Sequence, residues 1–504
     1  MRTSSYTIYV PLPDNRDEML LVHGYTGAYD RVSRSIADFL LNLEATRPEK
    51  PLYGEWVSDP SALSEREAAV TPDDGVLEVL KKRGYLTTMT VDEESGYLAR
   101  TVKKMHQIAA RRAPQYIFMP TYNCNLRCSY CFQDHMRSDP NYKHLLRTIK
   151  PEVVDRIFAA MPVLEEPHGI RPGMEVTRNI GFFGGEPLLA ENRPMIEYIM
   201  VKARSMGPAR FWAVSNATEL EAYEDILEPE GISEIQITMD GPPDEHDKRR
   251  IYADGSGSFQ RIAHNLDLCL DRGVAVSLRM NIDRMNVDQL PALADTIVDR
   301  GWHERPGFSA YTAPITNAEQ SITLTQLQSR YFSSWELDQA IDELRARYPN
   351  MRVIGRPDDG LIGRVRRMFD QRSNMPDLKT SFCGAHTSMY IFDSFGDMYA
   401  CWERTGDEKV RIGRVLEGGQ LEMNEGLTRM WRTRTPASNP TCRKCRYAMH
   451  CGGGCAVLAE GRNGKIHSNY CDGFGDRFRA SVAEAYTSFV RGDAVTIQER
   501  VCDL

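Results

Sequence analysis

The sequence predicts an α/β protein: a partial (β/α)6 TIM-like barrel, preceded by a small α+β domain and followed by a cysteine-rich domain. Three observations predict it. Between Tyr116 and Thr312 six short apolar stretches alternate with amphipathic helical stretches, the pattern of a parallel sheet with helical crossovers. The chain has 504 residues, too many for one ordinary core. Beyond Thr380 long apolar periods are scarce while Cys and Gly accumulate, so that region needs inorganic staples to hold a fold.

In residues 1–105, Tyr6–Leu12 and Met19–His23 read as strands. Val32–Leu43 and Val76–Arg83 read as helices, the second stopped by Gly84. Tyr85–Val91 reads as a strand or wing, and helical spacing resumes over Glu93–Arg112. The barrel domain, residues 106–350, carries predicted strands at Tyr116–Met119, Asn179–Phe183, Arg210–Val214, Glu234–Met239, Val274–Asn281 and Phe308–Thr312. Helices are predicted near Val153–Leu164, Met195–Ser205, Leu220–Ile226, Phe259–Asp271 and Val287–Arg300, with a longer one over Phe332–Tyr348. Six units are fewer than a closed barrel needs, so the barrel is expected to be open. Residues 351–380 read as a bridging segment, 381–485 as the cysteine-rich domain and 486–504 as a tail. The arginines of Arg364–Arg372 read as a solvated helix face.

The 62 basic and 70 acidic residues are well mixed and give a net charge of -8, which argues against nucleic acid or anionic lipid as a partner. No apolar run approaches the ~20 residues of a membrane span, and the N-terminus lacks the apolar core of a secretory signal. The chain therefore reads as cytoplasmic. Ten of its twelve cysteines cluster at 124–131 and 383–471, and clustered cysteines in a reducing compartment read as metal or redox sites rather than disulfides.

Cys124, Cys128 and Cys131 supply three thiolates just after the first barrel strand, where such barrels place their chemistry. Three thiolates hold three irons of a [4Fe–4S] cluster and leave the fourth open. A structural zinc knuckle is the competing reading, although it needs a fourth ligand and only His135 lies near. The C-x3-C-x2-C spacing, with aromatic Tyr130 before the last cysteine, resembles the radical S-adenosylmethionine superfamily. Gly184-Gly185-Glu186-Pro187, after the second strand, resembles that family's motif for the methionine amino group. Ser215 and Asn216 close the third strand and resemble its segment near the ribose and methionine carboxylate. Asp240 and Arg279 close the fourth and fifth strands where further cofactor contacts are expected. Singly, such strand-end polar residues are usually turn formers or caps. The resemblance implies that the reduced cluster cleaves S-adenosylmethionine to a 5′-deoxyadenosyl radical that takes a hydrogen atom from substrate. It also implies an electron donor of flavodoxin or ferredoxin type.

Cys383, Cys401, Cys442, Cys445, Cys451, Cys455 and Cys471 are similar in spacing to the SPASM domain, which binds two auxiliary [4Fe–4S] clusters. A zinc ribbon is the competing reading of Cys442, Cys445, Cys451 and Cys455 taken alone. The family's assignment implies one cluster on Cys442, Cys445, Cys451 and Cys471 and another on Cys383, Cys401 and Cys455. The second set lacks a fourth cysteine: either a non-cysteine ligand or a distant one, Cys502 or less readily Cys269, completes it, or one iron stays open. Cys269 otherwise reads as a small buried hydrophobe and Cys502 as an incidental thiol near the chain end.

The resemblance implies an enzyme acting on a ribosomally made precursor peptide, installing a thioether, carbon–carbon or ether cross-link, with a winged-helix-like N-terminal domain to bind the peptide's leader. An anaerobic sulfatase-maturating enzyme and a small-molecule dehydrogenase are the neighbouring alternatives. A non-catalytic iron–sulfur electron carrier is the alternative from another class, and the motif at Gly184–Pro187 argues against it. No residue is assigned as a catalytic base, His386, Tyr390 and Asp393 being near the later cysteines, and the sequence sets no oligomeric state.

Overall fold

The computed structural model describes residues 1–45, 71–316, 328–357, 359–370 and 378–492. The described residues divide into two compact units: those of 1–109, 359–383 and 434–492, and those of 110–357 and 384–433. No described helix is long and apolar enough to cross a membrane.

In the first unit, β1 (Arg2–Thr3) is followed by the antiparallel sheet of β2 (Thr7–Leu12), β3 (Asn15–His23) and β4 (Tyr29–Ser33), in the order β2-β3-β4. Helix α1 (Arg34–Ala45) starts where β4 ends, so the predicted helix from Val32 begins two residues late and is preceded by an unpredicted strand. Alternation over Tyr29–Ser33 is polar on both faces, which hides the strand from a hydrophobicity reading. Helix α2 (Asp74–Arg83) is capped by the Asp73 carboxylate on the Val76 N–H and ended by Gly84, whose φ of 96° suits a residue without Cβ. The wing shrinks to β5 (Leu86–Thr87), paired with β1, and α3 (Val91–Ala109) follows.

The second face of this small sheet is covered from far along the chain. Ile8, Val10, Leu20 and Val22 share one core with Leu361 and Val365 of the helix Asp359–Asp370 and with Phe478 and Val482 of the helix Phe474–Arg491. The expected bridging segment is thus partly a core helix. Its Arg366 is 6% exposed and pairs with Asp370 instead of lying in solvent. The N-terminal region and the segment carrying Cys442–Cys471 form one unit, where two separate domains were expected. Arg446 fastens them: buried, it donates to the Thr7 carbonyl and to Glu44 Oε1, each at 2.6 Å.

The second unit is a ten-stranded sheet. Six parallel strands, β6 (Gln115–Phe118), β8 (Arg178–Phe182), β9 (Ala209–Ser215), β10 (Ile232–Thr238), β12 (Ala275–Ile282) and β13 (Phe308–Pro314), stand in that order. Each predicted strand is found within two residues of its place. The crossovers carry α4 (Pro151–Glu165), α5 (Arg193–Ser205), α6 (Phe259–Asp271) and α7 (Leu290–Asp299), and α8 (Ser334–Arg347) follows β13 behind a Ser333–Glu336 capping box. The sheet does not close, because β6 continues instead into β14 (Met389–Phe392), parallel to it, and then antiparallel β15 (Asp397–Tyr399), β16 (Gly413–Val415) and β17 (Leu421–Met423). Residues 384–433, expected in the cysteine-rich domain, therefore extend the barrel sheet.

Removing one partner of a buried ion pair strands the other charge. Arg446→Met is expected to lower unfolding stability by about 3–5 kcal/mol, read by denaturant titration of the full chain, whereas the exposed pair Arg491–Asp14 should change it by less than about 1 kcal/mol.

Candidate active site

The cysteine loop leaves β6 and is pinned by a short strand. β7 (Leu126–Cys128) pairs antiparallel with β11 (Arg250–Tyr252), placing Cys128 opposite Arg250. The Cys124 N–H bonds Asn123 Oδ1 at 3.0 Å, and Cys124 Sγ accepts from the Leu126 N–H at 3.4 Å and Asn216 Nδ2 at 3.6 Å. The Cys131 N–H returns to the Cys128 carbonyl at 3.1 Å. Cys124, Cys128 and Cys131 are each half-buried. Burial pushes the Cys124 thiol up to about 12 and raises that of Cys128, so both stay protonated until a metal takes the sulfur.

The Gly184–Pro187 turn presses on this loop. A Cβ on Gly184, whose φ is 144°, would lie 2.6 Å from the Thr121 carbonyl oxygen; on Gly185 it would lie 2.1 Å from that of Asn123. Close backbone approach is what makes glycine necessary here. The Gly185 and Glu186 N–H groups bond the same two carbonyls, at 3.1 and 2.7 Å. The carbonyls of Gly184 and Gly185 accept no hydrogen bond among the described residues.

Glu186 is 2% exposed and fully engaged: its carboxylate accepts from Ser215 Oγ at 2.8 Å and from the N–H groups of Asn216 at 2.6 Å and Leu188 at 2.9 Å. Burial pushes its carboxyl up to about 7 against the pull of those donors. Ser215 and Asn216 are equally committed. Ser215 Oγ also accepts from the N–H of Ala217, the one non-glycine residue of positive φ (63°) among the described residues. Asn216 bonds Asn125 Oδ1 at 2.9 Å and the Thr218 N–H at 2.9 Å.

Tyr130 and Asp240 brace one another. The Tyr130 hydroxyl donates to Asp240 Oδ2 and accepts from Arg250 Nη1 at 2.9 Å and Asn281 Nδ2 at 3.2 Å. Asp240 Oδ1 takes the Asn281 N–H at 2.9 Å, so this pair joins the cysteine loop to the ends of β10 and β12. Burial raises both the Tyr130 hydroxyl and the Asp240 carboxyl. Arg279, half-buried on β12, bonds Asn281 Oδ1 through Nε at 2.9 Å, and its terminal nitrogens make no bond among the described residues. Glu186, Ser215, Asn216, Tyr130 and Asp240 thus bond one another or their neighbours, and Arg279 is the one of the expected side chains with donors to spare.

The free Gly184 and Gly185 carbonyls suit an ammonium, and the free Arg279 fork suits a carboxylate, so the methionine end of S-adenosylmethionine fits these groups. Buried donors of Arg137 beside the cysteines, left without partners, fit the sulfurs of a cluster. Among the described residues no three His, Cys, Asp or Glu side chains converge tightly enough for one metal ion; thiolates of a [4Fe–4S] cluster each bind a different iron.

In the first unit, Cys442, Cys445, Cys451 and Cys471 lie within electrostatic reach of one another. Gly452, Gly453 and Gly454 all take positive φ, and a Cβ on Gly454 would meet the Tyr470 carbonyl at 2.0 Å, so the turn between Cys451 and Cys455 admits only glycine there. Arg434, 2% exposed, donates to the carbonyls of Gly453, Gly454, Ile466 and Ser468 beside Cys442, Cys455, Cys383 and Cys451. Cys401 belongs to the barrel unit, between β15 and β16. Cys269 is fully buried on α6, a core residue and not a spare ligand; Cys502 lies outside the described residues. The three residues considered as bases are structural: His386 Nδ1 meets the Trp431 carbonyl, Tyr390 the His168 ring, and Asp393 the N–H groups of Phe395 and Asp397 and the Tyr122 hydroxyl. Missed by sequence reading were Arg137, Asn125 and Glu403, a carboxyl raised by burial against the pull of Arg279 and Arg404.

Comparison with known proteins agrees with this geometry. Residues 118–297 match the family model of the Radical SAM superfamily. The chain carries a radical SAM domain over these residues, of a family that uses S-adenosylmethionine and a [4Fe–4S] cluster. It is similar to the Fe-coproporphyrin III synthase of Methanosarcina barkeri, 24% identical over 191 residues, and spans only 42% of that protein's length. It is also similar to a cysteine-type anaerobic sulfatase-maturating enzyme of Clostridium novyi, 22% identical over 383 residues, covering 72% of this chain and 93% of that one. The solved structure of native anSMEcpe with bound AdoMet shares the fold, with a TM-score of 0.53 and 15% identity over 75% of this chain and 97% of that one.

Gly185→Ala is expected to break the approach to Asn123 and to halve, or worse, the iron that Cys124, Cys128 and Cys131 retain, while Gly96→Ala on α3, whose Cβ makes only an ordinary 3.5 Å contact, leaves iron content unchanged; iron analysis after anaerobic reconstitution reads the difference.

Proposed function

We propose that the chain is a peptide maturase that takes a hydrogen atom from a ribosomally made precursor peptide and leaves it with an intramolecular cross-link. When bound, the cluster and S-adenosylmethionine supply the 5′-deoxyadenosyl radical. In this reading Cys124, Cys128 and Cys131 hold that cluster, the Gly184 and Gly185 carbonyls receive the methionine ammonium, and Arg279 receives its carboxylate. Glu186, Pro187, Ser215, Asn216, Asp240 and Tyr130 hold the walls around it. Cys442, Cys445, Cys451 and Cys471 hold one auxiliary cluster, and Cys383 and Cys455, of the same unit, take part in another.

The observation that carries the peptide reading is the joining of the N-terminal sheet to the later cysteines in one folded unit. An auxiliary iron–sulfur module built onto a sheet whose outermost strand among the described residues is β4 is suited to receive an extended chain by strand addition. A solved structure of similar fold is described with bound AdoMet and the Cp18Cys peptide, and it too supports a peptide. Sulfatase maturation is the second reading, favoured by the length of the match to the Clostridium novyi protein. More than a quarter of this chain falls outside that match, which favours a dedicated substrate. An electron donor of flavodoxin or ferredoxin type completes the proposed set of partners, and the cytoplasm is the proposed compartment.

Coexpression with the short open reading frames that neighbour its gene, followed by mass spectrometry, tests the reading. Loss of two hydrogen atoms within one peptide and fragment ions missing between the joined residues are expected. An unmodified precursor, with a sulfatase Cys-type peptide converted to the aldehyde instead, would overturn it. Removing the Arg279 fork is expected to raise the S-adenosylmethionine concentration needed for half-maximal cleavage about tenfold or more in Arg279→Met, since a charge-assisted bond contributes about 1.5–3 kcal/mol.

A further inference from the structure

Arg137 is the charged group that the motifs do not explain. It lies on the short helix His135–Ser138, six residues beyond Cys131, and its side chain is 2% exposed. Nη2 donates to Cys131 Sγ at 3.2 Å. Nε and Nη1 are buried and donate to nothing among the described residues. The acidic neighbour, Asp134, stands 3.7 Å away with its side chain 43% exposed, so water screens it and it neutralises the guanidinium weakly.

A buried arginine kept for the fold spreads its fork over backbone carbonyls. Arg434 does this in the other unit, bonding four of them. Arg137 does the opposite: its one short bond goes to a cysteine sulfur, and two further donors are left over. A buried donor without an acceptor destabilises the fold, so a purely structural role does not account for the two left over. Its charge also reaches Cys124 and Cys128, so it faces all three cysteines of the loop.

We infer that Arg137 is a positioning residue that raises the reduction potential of the cluster on Cys124, Cys128 and Cys131. Reduction moves one electron from an external low-potential donor onto the cluster and adds one negative charge there. A fixed cation in a poorly solvated site stabilises that added charge more than it stabilises the oxidised state, and a hydrogen bond to a ligating sulfur acts in the same direction. Arg137 exchanges no proton in the step, because a guanidinium does not deprotonate in proteins. The inference rests on the radical SAM cluster alone and is independent of the peptide as substrate.

The test is a redox titration of the anaerobically reconstituted full chain, followed by electron paramagnetic resonance without S-adenosylmethionine. The signal of this cluster is the one absent from the Cys124→Ala/Cys128→Ala/Cys131→Ala variant. In Arg137→Gln the ratio of reduced to oxidised cluster at a fixed potential should fall about tenfold, ~59 mV for a one-electron couple. Arg137→Lys keeps the charge and loses the fork, and should fall about threefold at the same potential. An unchanged midpoint in Arg137→Gln with full iron content would overturn the inference. Should Arg137→Gln take up no iron at this site, Arg137→Lys decides: a lowered ratio supports the tuning role and a wild-type ratio refutes it. Loss of this cluster or of the fold in both variants, judged by iron content and circular dichroism, would make Arg137 a scaffold residue and also refute it.

Discussion

Three hydrogen bonds to one buried carboxylate hold the strand ends and the cysteine loop in register. Glu186 closes the turn after β8, and its partners Ser215 and Asn216 end β9, so the carboxylate ties two adjacent strand ends together. With that tie in place, the Asn216 amide is aimed at both Asn125 and the Cys124 sulfur, and the cysteine loop inherits its position from the sheet. The strain is local and visible: Ala217 takes a left-handed backbone, held by Asn265 Nδ2 on its carbonyl at 2.8 Å. From the other side, Tyr130 and Asp240 repeat the device, coupling the loop to β10 and β12. A carboxylate read from sequence as a ligand for ammonium is, in the structure, a brace. The groups left with capacity for the cofactor are backbone carbonyls and one arginine.

The same economy appears around the later cysteines. A run of three glycines turns the chain between Cys451 and Cys455, and Arg434 fastens the surrounding carbonyls from within. Arg446, between Cys445 and Tyr447, anchors this loop to the N-terminal sheet. The N-terminal region packs a core of its own around Leu21, Phe39, Leu40 and Tyr85 on one face of its sheet and leaves the other face to be covered. Joining the first hundred residues to the last part of the chain gives both a common core of Ile8, Val22, Val365 and Phe478.

Much of the barrel was legible in the sequence because parallel strands are apolar on both faces and stand out against amphipathic helices. The positions of Cys124–Cys131 and Gly184–Pro187 at strand ends follow from the same pattern. Local patterning was silent on long-range docking. Residues 359–370 looked like a charged linker, since Arg366 hides its charge on Asp370 and shows its helix only through Leu361 and Val365. The extension of the sheet through Met389–Phe392 escaped notice because four buried residues give no period to read. Arg137 was invisible for a different reason: an arginine after a cysteine motif looks like any surface arginine until its burial and its bond to Cys131 are seen.

The central claim is that the loop Cys124–Cys131 holds the cluster that cleaves S-adenosylmethionine, independently of the later cysteines. Iron content and 5′-deoxyadenosine formation in the reconstituted Cys124→Ala/Cys128→Ala/Cys131→Ala variant test it most directly. About four fewer irons per chain and complete loss of 5′-deoxyadenosine are expected, with the remaining iron still bound. Retention of 5′-deoxyadenosine formation, or iron equal to that of the unaltered chain, would contradict it.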